Sequence, residues 1–283
     1  DRSVWSMAGH AIFGRFARET IEAAGASFDV VTLSPARRAT SAGVRRWLTA
    51  AIDAIALLYG GFPVARVGVY VVPVPGGAGD PVPFGSTWYG GGPHVLLYLA
   101  SGAADDDLTG EWVALHELLH TTMPSIAVED AWLSEGFVTY YQEVLRARGR
   151  FQPPGVSMQL VEEGFGRGRA AQTKRTLADE SRLMRANHAY YRVYWAGAAI
   201  ALKVDVELRR ASAGKRSLDD VMRHLSRRAG NVVDVSAAEL VADVDAWLGA
   251  PTFASIATPV LASAEFPAVD ASYAWLGLGV RDG

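Results

Sequence analysis

An α+β fold is what the sequence predicts, and three observations predict it. Short β-branched runs separated by Gly/Pro-rich connections dominate the first third of the 283 residues. From about Thr109 onward, apolar residues recur at helical spacing. Half of the residues are apolar and a fifth are charged, the balance of a globular chain long enough to bury a core. The expected organisation is a β-containing first lobe over residues 1–108 with one long helix, then a mostly helical lobe over 109–283.

The elements follow in order. Residues 11–33 hold two extended runs, AIFGRFARETIEAA and SFDVVTL, broken at Gly25 as in a hairpin. Val44, Trp47, Leu48, Ile52, Ile55 and Leu58 mark one face of a helix over 41–59. Arg66–Val74 (RVGVYVVPV) is β-branched and short, as a buried strand is, and HVLLYLA from His94 is a second strand. Residues 73–93 between them read as a Gly/Pro-rich loop. Further on, Tyr190–Arg210 is a long helix. Capping boxes at Ser217-Leu-Asp-Asp220 and Ser236-Ala-Ala-Glu239 start helices near residues 218 and 237. The stretch Glu163–Arg169 (EGFGRGR) reads as a mobile surface loop.

Composition excludes several functions. A net charge of −3 without a basic run argues against a nucleic-acid partner. No apolar stretch approaches the ~20 residues of a membrane span. The absence of cysteine removes disulfides, Cys-ligated zinc and a cysteine nucleophile. There is no Gly-x-Ser-x-Gly, and Gly214-Lys215-Arg216 is not a P-loop. The chain begins at Asp1 without a Met, so a processed or trimmed product is expected, with any targeting segment out of view.

One motif carries chemistry. Glu111–Thr122 reads EWVALHELLHTT, with Trp112, Leu115, Leu118 and Leu119 at helical spacing, Thr109 or Asp107 available as a cap, and Pro124 opposing continuation. His116 and His120 are then i and i+4 on one helix face, where two neutral imidazoles can bind one Zn²⁺ at ~2.0–2.1 Å each. Glu117 points to the neighbouring side, within reach of a water instead of the metal. This His-Glu-x-x-His pattern is that of a metalloprotease zinc site. The plain alternative is a helix whose histidines only hydrogen-bond locally. A catalytic zinc needs a third protein ligand and an open position. Asp130 can open a second helix, whose face is formed by Trp132, Leu133, Phe137, Tyr140, Tyr141, Val144 and Leu145. Glu135 lies inside this apolar segment, where a carboxylate is costly unless paired or metal-bound. It is the candidate third ligand.

His116-Glu117-Leu-Leu-His120 followed by Trp132-Leu-Ser-Glu135-Gly-Phe resembles the gluzincin peptidases, which include the thermolysin-like enzymes and the M1 and M61 aminopeptidase families. The M61, glycyl-aminopeptidase-like branch resembles it most, through Tyr194-Trp-Ala-Gly-Ala-Ala-Ile-Ala-Leu202, Val206–Arg210, Gly214–Arg223 and Trp275–Gly279. The resemblance implies a thermolysin-like zinc peptidase catalytic domain. It implies zinc on His116, His120 and Glu135, and a zinc-activated water with Glu117 as general base and acid. A Tyr in a Tyr-x-x-Gly context donates to the oxyanion in these relatives. Tyr194 matches it, with Tyr191 in reserve. The implied partner is a peptide or protein substrate, and a periplasmic or secreted setting is favoured. M1 aminopeptidases grip the substrate's free amine through the Glu of a Gly-x-Met-Glu-Asn segment. The corresponding Tyr89-Gly-Gly-Gly-Pro-His94 has no acid. Strand His94–Leu99 is expected to be the edge that pairs with an extended peptide, and His94 is either a substrate contact or without a role. The expected activity is thus a metallopeptidase, with an aminopeptidase as one form. A gluzincin acting on a non-peptide substrate and an inactive peptidase-like binding domain are the alternatives.

Overall fold

The computed structural model describes residues 9–33, 37–230 and 233–279. By its internal contacts the chain divides into two compact units. The first comprises Asp1–Ser125, Val144–Ser157 and Ser226–Val233, and the second Ile126–Glu143, Met158–Leu225 and Asp234–Gly283.

The first unit is built on a five-stranded sheet in the order β1-β2-β3-β5-β4. Strands β1 (Phe16–Ala23) and β2 (Ala26–Leu33) form the expected antiparallel hairpin. Its two-residue turn is Ala24-Gly25, both at positive φ (52° and 80°), the backbone sign that matches strand twist. Helix α1 (Ser41–Tyr59) then crosses to β3 (Arg66–Val74), which runs parallel to β2. All six residues of the predicted stripe on α1 are buried. Thr40 caps its start by accepting from the Gly43 N–H, and Gly60 ends it in the left-handed conformation.

Strand β5 (His94–Ala100) pairs parallel with β3 on one side and antiparallel with β4 (Phe84–Trp88) on the other. Two expectations are corrected here. Residues 73–93 are not loop throughout, because Phe84–Trp88 forms a strand. The strand from His94 is consequently interior, with six of its seven residues buried, and β4 is the edge of the sheet. His94 itself is buried. Its Nδ1 donates to the Gly92 carbonyl at 2.9 Å, and its Nε2 accepts from the His10 backbone N–H at 3.3 Å.

The second unit is helical, as expected for the C-terminal part of the chain. It draws on α3 (Ala131–Arg148), α4 (Pro154–Ala170), the short α5 (Leu177–Arg182) and α6 (Met184–Asn187), and α7 (Tyr190–Ala211). It continues with α8 (Leu218–Ser226), α9 (Ala237–Leu248), α10 (Thr252–Leu261) and α11 (Asp270–Leu276). Ser236 and Glu239 form the complete capping box read from the sequence. At the other predicted box the Ser217 N–H donates to the Asp220 carboxylate at 2.9 Å. Asp130, expected to open α3, accepts from the Ala237 N–H at the start of α9.

The stretch 163–169 is the clearest correction. It is not a surface loop but the last turns of α4. Two of its three glycines are contact points: a Cβ on Gly164 would lie 2.3 Å from the Trp195 ring, and one on Gly168 would lie 2.5 Å from Phe266. Phe165 between them is fully buried. Gly164 and Gly168 admit large rings that any side chain would displace.

Candidate metal centre

Both histidines stand on one short helix, α2 (Val113–His120). At eight residues it is well under the ~12–15 that an isolated helix needs in water, so its surroundings must hold it. Val113, Leu115, Leu118 and Leu119 are buried beneath it, and side chains secure both of its ends.

At the N-terminus, neither Thr109 nor Asp107 is the cap. The helix starts at Val113, too far along for either side chain, and Asp107 accepts from the Ala104 N–H instead. Glu111 takes the role. Both of its carboxylate oxygens lie 2.9 Å from the Val113 N, and the Ala114 and Trp112 N–H groups also donate to it. Burial pushes its pKa up to about 7, against the opposing pull of these N–H groups and of the Arg146 charge.

The C-terminal carbonyls are equally engaged. The Thr121 and Thr122 hydroxyls donate to Leu118 and Leu119 oxygens at 2.7 Å. From the sheet, Thr87 Oγ1 lies 2.7 Å from the Glu117 carbonyl, and the Tyr89 hydroxyl donates to the His120 carbonyl at 2.9 Å. Thr87 also reaches the Glu117 side chain, with Oγ1 2.8 Å from Oε2.

The imidazoles of His116 and His120 converge, with ring centroids 5.0 Å apart and their Nε2 atoms 3.3 Å apart. From a point ~2.0–2.1 Å from each, two nitrogens so spaced subtend about 107°, close to the tetrahedral angle that zinc adopts. One ligand atom each from His116, His120 and Glu135 lie within 4.8 Å of one another. Two imidazole nitrogens and one carboxylate oxygen are the donor set of a catalytic zinc that keeps a position open. The residues present therefore fit the ion.

Glu135 is the fifth residue of α3, and the residue after it explains how that turn is seated. A Cβ on Gly136 would lie 2.4 Å from the Gly197 backbone, and one on Gly197 would lie 2.0 Å from the Trp132 carbonyl oxygen. Helices α3 and α7 thus meet glycine to glycine, at a separation that no side chain allows. Tyr194 stands one turn before Gly197. It is half-buried and edge-on to Tyr190, with ring centroids 6.3 Å apart. Tyr191, the reserve candidate, is 60% exposed. Sequence reasoning missed Glu111, Thr87, and the packing roles of Gly136 and Gly197. Only Glu111, an acid two residues before the helix, carried a readable signal.

No protein-family profile matches the sequence, and no curated protein matches it. Solved structures do. An aminopeptidase N family protein from Idiomarina loihiensis superposes with a TM-score of 0.70 at 16% identity, over 92% of this chain and 49% of that one. An M1 zinc metallopeptidase from Deinococcus radiodurans gives 0.60 at 18% identity, over 90% of this chain and 54% of that one. Yeast LTA4 hydrolase, solved with bestatin, gives 0.53 at 14%, over 86% and 37%. The chain has the fold found in these metallopeptidase structures, and it spans about half the length of the first two.

Proposed function

We propose that this chain carries the zinc site of a gluzincin metallopeptidase, with His116, His120 and Glu135 as ligands and Glu117 as general base. The observation that carries the reading is the convergence of three ligand atoms, two of them on a helix where a buried carboxylate, Glu117, directly follows His116. The fold shared with M1 metallopeptidases supports it. When bound, zinc supplies Lewis-acid polarisation of a carbonyl and acidifies water toward a pKa of ~7.

The remaining work falls to side chains. Glu117 takes the proton of the attacking water and later passes it to the leaving amine. Tyr194 donates its phenolic hydrogen to the developing oxyanion, the kind of contact worth ~10²–10³ in turnover. Strand β4, the outer strand beyond β5 in the described sheet, is the one to which an extended peptide can add, the role first expected of the strand from His94. An outer strand beside Glu117 favours a peptide over a compact ester or epoxide. The absence of an acid in Tyr89–His94 leaves amine anchoring to other groups, or makes the enzyme an endopeptidase.

The test is digestion of a peptide library with free and blocked N-termini by zinc-loaded protein, read by mass spectrometry beside Glu117→Gln. Cleavage by the wild type and none by a zinc-replete Glu117→Gln is expected. Loss of cleavage on blocking identifies an aminopeptidase. A zinc-loaded wild type that cleaves no peptide but opens esters would move the reading to a non-peptide hydrolase, and one inactive on both would make it a binding domain.

A further inference from the structure

The geometry around β4 points to a role for Thr87 that rests on the reading of Glu117 as general base. We propose that Thr87 is the positioning residue for Glu117, holding its carboxylate in one place against strand β4.

Alternate residues of β4 face helix α2, and two of them meet Glu117. Gly85 leaves the space in which the side chain lies. A Cβ there would sit 2.6 Å from Glu117 Cγ and 3.0 Å from Oε1. Thr87, on the same face of the strand, places Oγ1 2.8 Å from Glu117 Oε2 and 2.7 Å from the carbonyl oxygen of the same residue. A hydroxyl has one hydrogen and two lone pairs, so it serves one of these acceptors at a time.

A bond to Oε2 ties one carboxylate oxygen to the strand, and the space left at Gly85 holds the stem of the side chain beside it, so β4 restrains Glu117 at two points. Because β4 is also the sheet edge, the strand that would receive a peptide is the strand that holds the base.

Three variants test this: Thr87→Val, which keeps shape and removes the hydroxyl, Thr87→Ser, which keeps the hydroxyl, and Gly85→Ala, which fills the space. The substrates are a quenched-fluorescence peptide pool and a set of aminoacyl-coumarin amides. Thr87→Val should lose about 10–100-fold in kcat with KM little changed and zinc content complete, since displacing a reacting group by ~1 Å costs up to about 10²-fold. Thr87→Ser should recover most of that loss. In metal-free protein, Thr87→Val should lower the urea midpoint less in a Glu117→Ala background than alone, a coupling that needs no activity to read. Gly85→Ala should lower kcat although Thr87 is intact. Wild-type turnover by Thr87→Val beside an inactive Glu117→Gln would overturn the proposal and leave the general base standing. So would equal losses in the Val and Ser variants with no coupling. A zinc-loaded wild type without peptide hydrolysis would remove the reading beneath it.

Discussion

Replacing Gly197 by Ala should unseat Glu135 without touching any proposed ligand. The new Cβ would lie 2.0 Å from the Trp132 carbonyl oxygen, and Gly136 Cα lies 2.8 Å from the same point. The closest ordinary C···O approach is about 3.3 Å, so the two backbones must separate by about 1.3 Å at this crossing. Both obstacles are backbone atoms, which no rotamer change can clear. Overpacking of this kind costs about 1–3 kcal/mol, and the gain from Ala over Gly within a helix returns only about 0.5–1 kcal/mol. A net loss of about 1–2 kcal/mol corresponds to about 2–8 °C in Tm for a chain of this size class. Trp132 is one turn before Glu135, and metal ligands tolerate displacements of only about 0.2 Å. Zinc affinity should fall about 10-fold or more, as when supports of ligands are lost. Competition with a chromogenic chelator measures the affinity, and calorimetry of the metal-free protein measures the Tm. A Gly197→Ala protein with unchanged Tm and unchanged zinc affinity would refute the glycine crossing as the seat of Glu135.

Other expectations follow from the same structure. Gly164→Ala should destabilise by about 1–3 kcal/mol through its clash with Trp195, whereas Gly166→Ala, with open space around it, should stabilise by about 0.5–1 kcal/mol. Urea midpoints measured side by side separate the two. His116→Ala, His120→Ala and Glu135→Ala should each lower bound zinc in elemental analysis, while Glu117→Gln keeps it. Glu111 gives a pH dependence. A carboxyl raised in the folded state from 4.5 to about 7 binds more protons folded than unfolded, so stability falls as pH rises between those values and levels above about 7. The interval corresponds to about 3 kcal/mol at most. Urea midpoints from pH 4.5 to 8 should show the fall in wild type and not in Glu111→Gln. An unchanged slope in that variant would assign the fall to another group.

How far the sequence could be read depends on the range over which each feature is determined. The His116–His120 pair was legible because i, i+4 spacing on a helix is a local property, and α2 formed where the apolar spacing placed it. Glu135 was legible by contrast, as a carboxylate within an apolar helix face. Strand β4 was not, because five residues flanked by Gly and Pro carry no periodic signal of their own. Missing it misplaced the sheet edge by one strand. Thr87 sits thirty residues before its partner, Glu117, and only the sheet brings the two together. Glycine misled most. In EGFGRGR it suggests freedom, yet Gly164 and Gly168 exist to receive Trp195 and Phe266. Absence of a side chain serves a turn and a close contact alike, and only the partner distinguishes them.

The proposed ligands are seated by two different kinds of support. The histidines ride on a helix too short to hold itself, so Glu111 at one end and Thr87 and Tyr89 at the other do what further turns would do in a longer helix. These are directional bonds to backbone groups, and they set the rotation of the helix as well as its existence. Glu135 rides on an eighteen-residue helix with no such shortage of turns. What its turn requires is depth, and a glycine-to-glycine crossing supplies it by steric exclusion. Hydrogen bonds fix how a helix is turned, and close packing fixes how near it lies. A three-ligand site needs both, because imidazole rings must be aimed and a carboxylate must be brought within reach. The motif residues alone therefore under-determine the centre: His-Glu-x-x-His on a helix without Glu111 and Thr87, or Glu135 without Gly136 and Gly197, would spell the same ligands without bringing them together.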